Sequence, residues 1–223
     1  MVVKLLKAAK SRTAGKFRTA GELLERLGDV PPHRVLVHRA GSATIADVVR
    51  FFEKEGVLCE LIEGVLVEKT MGLEESTFAG FVLGLLNVFV IPRNLGKVAG
   101  ADGTIEIAKD LVRIPDVAFF SWDRLPGRRM PSKPVPNIVP NLAIEIWSRW
   151  NTKREMLLKR KDYFAAGVDL VWEIDPRKRT VAVYTSLTHV VVLDIDDTLD
   201  GGAVLPGFEL KLKDLFAELD RKG

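Results

Sequence analysis

Cysteine is nearly absent from this sequence. Cys59 stands alone among 223 residues. That excludes an internal disulfide framework and a cysteine-based zinc site, and it fits a reducing cytoplasm. Histidine is almost as scarce: His33, His38 and His189 show no HExxH-type spacing. Long apolar runs are missing too. The longest uncharged stretch, Ser76 to Pro92, is interrupted by Ser, Thr, Asn, Gly80 and Gly84 and falls short of a bilayer span. The N-terminal MVVKLLKAAKSR lacks the apolar core of a signal peptide, so no membrane partner is expected. No Gly-rich phosphate loop occurs, and Ser148 lacks the GxSxG setting of a hydrolase nucleophile.

What is present suits one soluble domain with an extension. The hydrophobic fraction of 47% supports a core, and 28% of residues are charged. A net charge of +3 and a pI of about 9.0 permit a nucleic-acid partner without indicating one. The basic residues Lys4, Lys7, Lys10, Arg12, Lys16 and Arg18 arrive before the first acid. They read either as a phosphate-binding arm or as a solvated tail.

Thr19 to Glu22 forms a possible capping box, followed by Leu23, Leu24 and Leu27 and stopped by Gly28. Thr44 to Asp47 opens a second helix that ends at Gly56. Residues 1–56 therefore read as a small helical extension with a basic tail, and 57–223 as the main domain. LCELIEGVLVEK has the texture of a hairpin turning at Glu63-Gly64. A helix is expected from Glu74 to Ile91, with Phe78, Phe81, Val82, Leu85 and Phe89 on one side. GKVAGAD, TIEIA, LVRIPDVAFF, LAIEIWS, DLVWEID, TVAVYTS and HVVVLDI read as strands. A helix from about Thr152 to Ala166 and a terminal KDLFAELDRK helix complete an α+β pattern, a mixed β-sheet flanked by helices.

Two local patterns suggest chemistry. VVVLDIDDTL matches the strand-plus-DxDxT signature of haloacid dehalogenase-like phosphatases. The further lysine and acidic motifs of that fold would have to follow Leu199, where little chain remains, so a strand ending in an acidic turn is the better reading. The second pattern is a set of acids and a lysine. Glu145 interrupts LAIEIWS, a strand otherwise suited to burial, and an unpaired buried charge costs several kcal/mol, on the order of 5. Asp116 lies in VRIPDVAFF, where Pro115 implies an edge or a strand end. Alternation places Asp116 with Ile114 and Ala118, and Glu145 with Ala143 and Trp147. Two carboxylates on neighbouring strands need positive charge between them, and oxygen ligands suit Mg²⁺ or Mn²⁺. Glu155, Lys159 and Tyr163 fall on one line of their helix, beside its apolar stripe. Lys159 reads either as an exposed partner of Glu155 or as an amine reaching over the adjacent strand.

The succession CELIEGVLVEKTMG, VRIPDVAFF, LAIEIWS, NTKREMLLKRKDYFAAGVDLVWEIDP and RTVAVYTS closely resembles the Uma2 family, also called DUF820. The resemblance extends through the TLDGGAVLPGFELKLKDLF tail and covers about 58–217. It implies a restriction endonuclease-like PD-(D/E)xK fold and a metal-dependent endonuclease acting on DNA. Pro115-Asp116 would supply PD and Glu145 the second acid. Trp147 stands where the simple motif has lysine, and the resemblance moves that lysine to Lys159, with Tyr163, Gly167 and Val168 completing K-x-x-x-Y-x-x-x-G-V. Asp116, Glu145 and the backbone carbonyl of Ile146 would hold Mg²⁺ (or Mn²⁺), and Lys159 would act on the attacking water or the phosphate. Glu75 is the first choice for a fourth acid and Glu60 the second. Arg124, Arg128, Arg129 and Lys133 would touch the DNA backbone, and a homodimer is implied by analogy.

Overall fold

The computed structural model describes residues 17–222. The basic N-terminal segment, and with it the choice between phosphate arm and tail, lies almost wholly outside them. Helix α1 (Ala20–Arg26) begins where Thr19 Oγ1 accepts a hydrogen bond from the Glu22 amide at 3.0 Å and Glu22 Oε2 accepts one from the Arg18 amide at 2.9 Å. A short strand β1 (Val35–Leu36) precedes α2 (Ile45–Glu55), which opens on a full Thr44–Asp47 capping box and closes at Gly56. Strands β2 (Cys59–Ile62) and β3 (Val65–Glu68) form the expected hairpin. Then come α3 (Leu73–Val90), β4 (Gly96–Ala99), β5 (Ile105–Ala108), β6 (Leu111–Arg113), β7 (Val117–Ser121) and β8 (Leu142–Ile146). The chain continues through α4 (Lys153–Ala166), β9 (Leu170–Asp175), β10 (Thr180–Tyr184), β11 (Val190–Leu193), β12 (Thr198–Asp200), β13 (Glu209–Lys211) and α5 (Leu212–Ala217).

The strands form two main sheets and a ribbon. The first sheet runs β1-β3-β2-β6-β5, the second β11-β10-β9-β8-β7-β4, and β12 pairs with β13. Strands β8 and β9 are parallel, with α4 as their crossover, and the other strands of the second sheet pair antiparallel. This is the expected α+β arrangement, a mixed β-sheet flanked by helices. Among the described residues before β2, β1 adds an edge strand to the first sheet by pairing Val35 with Val67 and Leu36 with Leu66.

One expectation needs correction. LVRIPDVAFF is not a single strand. It breaks at Ile114–Pro115–Asp116, so β6 belongs to the first sheet and β7 to the second. Proline has no N–H to donate, which ends the ladder there. Asp116 therefore sits at the crossing between the sheets, and the alternation with Ile114 and Ala118 does not apply. The phosphatase-like motif is also resolved: β11 is an exposed antiparallel edge strand, and Asp194–Asp197 is a self-bonded turn.

The second sheet is covered on both faces. Leu142, Ile144 and Ile146 pack with Phe78, Val82, Leu86 and Phe216 from α3 and α5, while Ala143 and Val171 pack with Tyr163 of α4. Helix α3 is the one helix among the described residues long and apolar enough to cross a membrane by length and composition. Here its Phe78–Val82–Leu86–Val90 face is buried in the core, while Leu73, Val88 and Ile91 are exposed. Helix α4 lies where both sheets can be reached. Its inward line is polar, with Glu155, Lys159, Asp162 and Tyr163 all buried.

Candidate active site

That polar line meets charged side chains from both sheets in one buried seam. From the second sheet comes Glu145, whose Oε2 lies 2.9 Å from Lys159 Nζ and whose Oε1 accepts a hydrogen bond from Tyr163 Oη at 2.5 Å. From the first sheet comes Glu60, 3.3 Å from the same Lys159 Nζ and 2.6 Å from Arg113 Nη1. Arg113 also binds Asp162. Lys159 is 4% exposed, so the exposed-lysine reading is excluded: its amine joins the two sheets.

Asp116, at the crossing, is held from two sides. Its Oδ2 accepts a hydrogen bond from the Ile146 amide at 2.6 Å, and its Oδ1 lies 2.7 Å from Lys69 Nζ. Lys69 also donates to the Ile114 carbonyl. The N–H and C=O of a strand residue point to the same side, so the Ile146 carbonyl is directed toward Asp116 as well. At the N-terminal end of α4, Glu155 is bonded to Arg34 at 2.9 Å and to Asn151 at 3.2 Å.

The electrostatics follow from burial and pairing. Burial pushes the Glu60 carboxyl up, but Lys159, Arg113 and Lys69 outweigh it and hold Glu60 well below the usual carboxylate range. Burial alone would lower the Lys159 amine. Glu145, Glu60, Glu155 and Asp116 instead raise it above its ordinary value, so Lys159 is a cation at neutral pH. Glu145 is raised, chiefly by burial and further by Asp116 and Glu60, against the pull of Lys159 and Lys69. Tyr163 is raised by burial and by Glu145, and it stays neutral.

A cavity of about 20 Å³ opens beside these groups, room for about one water. Asp116, Glu145, Ile146, Lys69, Lys159 and Glu75 are among its walls. Asp116, Glu145, Ile146, Lys159 and Glu75 thus come together. Glu60 lies deeper, in the ion-pair network. Among the described residues, no three His, Cys, Asp or Glu side chains form a ready-made metal cluster. Two further observations fit a divalent cation. The seam sets five carboxylates (Glu60, Asp116, Glu145, Glu155, Asp162) against four cations (Arg34, Lys69, Arg113, Lys159). Mg²⁺ also commonly takes only one or two carboxylates, completing its shell with water and phosphate. Asp116 and Glu145 each keep unused lone pairs, since a carboxylate offers about four.

The loop between β7 and β8 starts from the strand ends away from Asp116 and Glu145. Within it, Arg124 is bound to the Gly167 carbonyl and Asp169, while Arg128, Arg129 and Lys133 are exposed. Sequence reasoning passed over Lys69, Arg113 and Arg34. A signal existed for Lys69, which continues the period-two face of the fully buried Val65 and Val67. None existed for Arg113 and Arg34, whose partners lie 53 and 121 residues away.

The Uma2 family profile, described as "Putative restriction endonuclease", matches residues 45–213. No curated protein matches the chain. Among solved structures, a putative nuclease belonging to DUF820 from Anabaena variabilis ATCC 29413 superposes with a TM-score of 0.66 at 25% identity, covering 74% of this chain and 92% of its own.

Proposed function

The chain belongs to the Uma2 family, and on that premise we propose that it is a metal-dependent endonuclease that hydrolyses DNA phosphodiester bonds at the Asp116–Glu145–Lys159 seam. The observation that carries this reading is the convergence of a carboxylate at the sheet crossing, a carboxylate from β8 and a buried lysine from the crossover helix on one small cavity. Asp116, Glu145 and the Ile146 carbonyl would hold Mg²⁺ (or Mn²⁺), with Glu75 available from the rim. Such an ion would polarise a phosphate oxygen and lower the pKa of a water.

The chain's own groups have distinct tasks in this reading. Lys159 is kept charged by Glu145 and Glu60, so it offers positive charge to the developing phosphorane rather than acting as a base. Tyr163 fixes the second Glu145 oxygen, and the Ile146 amide fixes Asp116. Lys69 neutralises Asp116 and would give up that oxygen when a divalent ion enters. Arg113 and Glu60 brace Lys159 from the first sheet, and Arg34 braces the start of α4 through Glu155. Hydrolysis is tested by incubating supercoiled plasmid with the protein and Mg²⁺ or Mn²⁺, with EDTA as the control.

A further inference from the structure

A larger cleft, of about 320 Å³, adjoins the small cavity and shares Glu75 with it. That volume is in the range that accepts small organic groups, about 300 Å³ and upward. Two tryptophans that immediately follow the Glu145 strand, Trp147 and Trp150, line it, together with Arg149, Arg177 and Glu74. Trp150 is 42% exposed, so its ring is accessible from the cleft. The two rings are fixed in place. Trp147 Nε1 donates to Glu173 at 3.3 Å, and Trp150 meets the His33 ring edge-on at 5.7 Å. Cations accompany both: Arg149 lies 4.8 Å from the Trp150 ring centre and Lys178 5.9 Å from that of Trp147.

Aromatic surface paired with cations is how single-stranded nucleic acids are held: bases stack on the rings and phosphates meet the cations. A stacked duplex offers no free base face to such rings. We propose that this cleft binds an unpaired nucleobase of single-stranded DNA, with Trp147 and Trp150 as the stacking surface and Arg149 and Arg177 on the flanking phosphates. Glu74, at the rim, accepts from an exocyclic amino group, as carboxylates do from cytosine N4. This favours cytosine over thymine. The assignment rests on the hydrolytic reading only for direction: through the shared Glu75 wall, the strand leads its next phosphate to Asp116 and Glu145.

The test uses the full chain in EDTA, so that binding is read without hydrolysis. Fluorescence anisotropy of labelled oligo(dC), oligo(dT) and a hairpin duplex would be followed, along with tryptophan quenching. The expected result is tighter binding of oligo(dC) than of oligo(dT), and of either than of the duplex. Trp150→Ala should weaken oligo(dC) binding between about fivefold and a hundredfold, while Trp150→Phe keeps most of it. Arg149→Ala should weaken binding and flatten its salt dependence. Circular dichroism of each variant confirms folding, which an exposed position tolerates. Equal affinity for duplex and single strand, or wild-type affinity in folded Trp150→Ala, would overturn the proposal. Strand binding with no cleavage in Mg²⁺ would overturn the nuclease reading alone. Plasmid cleavage without single-strand preference would overturn the cleft assignment alone.

Discussion

Replacing Lys159 by methionine removes the amine that joins the two sheets while keeping most of the volume. Glu60 retains Arg113 and the Ile114 amide. Glu145 retains only the Tyr163 hydroxyl and becomes a buried carboxylate with no cation in contact. It can escape by taking a proton. From an ordinary value of 4.5, holding a carboxyl neutral at pH 7 costs about 1.4 kcal/mol per unit, or about 3.4 kcal/mol. That caps the electrostatic loss and falls within the ~3–5 kcal/mol expected for breaking a buried pair. At pH 5 the same cost is only about 0.7 kcal/mol. Urea unfolding of wild type and Lys159→Met at pH 5, 6, 7 and 8 should therefore show a destabilisation that grows with pH, by up to about 1.4 kcal/mol per unit once the pH passes the already raised wild-type value of Glu145. Glu145→Gln/Lys159→Met should recover most of the loss at pH 7. A destabilisation independent of pH, or a double variant no better than the single, would refute the reasoning that Lys159 serves chiefly to neutralise Glu145.

Other expectations follow from the same geometry. Glu60 is held below its ordinary value, so its contribution to stability is present above pH 4.5 and lost as the pH falls through its lower folded value. Glu60→Gln should lack that acid-side slope in unfolding measurements. Lys69→Met removes the competitor for Asp116 Oδ1 and should tighten Mn²⁺ binding by at least about tenfold in calorimetry, whereas Asp116→Asn should abolish it. Gly28→Ala should cost at least about 2 kcal/mol and make α1 more sensitive to protease, because Gly28 adopts φ 84 and a Cβ there would lie 2.7 Å from Glu155 Cα.

The legible parts of the fold were those fixed by local chemistry. The Thr19 and Thr44 caps, the Gly56 stop and the Glu63-Gly64 turn each depend on a few adjacent residues, and the structure has them where the sequence places them. The sheet assignment of VRIPDVAFF was not legible, because a proline within a β-rich run marks an interruption without saying that the chain changes sheets there. Lys159 shows the same limit: its helix has little apolar asymmetry because its buried face is itself charged, so periodicity could not distinguish inside from outside. The cation that neutralises Asp116 comes from a hairpin 47 residues earlier, a pairing that only the tertiary fold creates. The resemblance to Uma2 bridged part of this gap by bringing Asp116, Glu145 and Lys159 together before their contacts were visible. It offered no counterpart for Lys69 or Arg34.

The central claim is metal-dependent phosphodiester hydrolysis at the seam, and the most direct measurement is the rate of DNA cleavage by purified wild type beside folded Asp116→Asn and Glu145→Gln, each with Mg²⁺, with Mn²⁺ and with EDTA. The account predicts cleavage by wild type with either metal, none in EDTA, and a loss of at least about a hundredfold in both variants. Cleavage that persists unchanged in either variant, or that ignores EDTA, would contradict it.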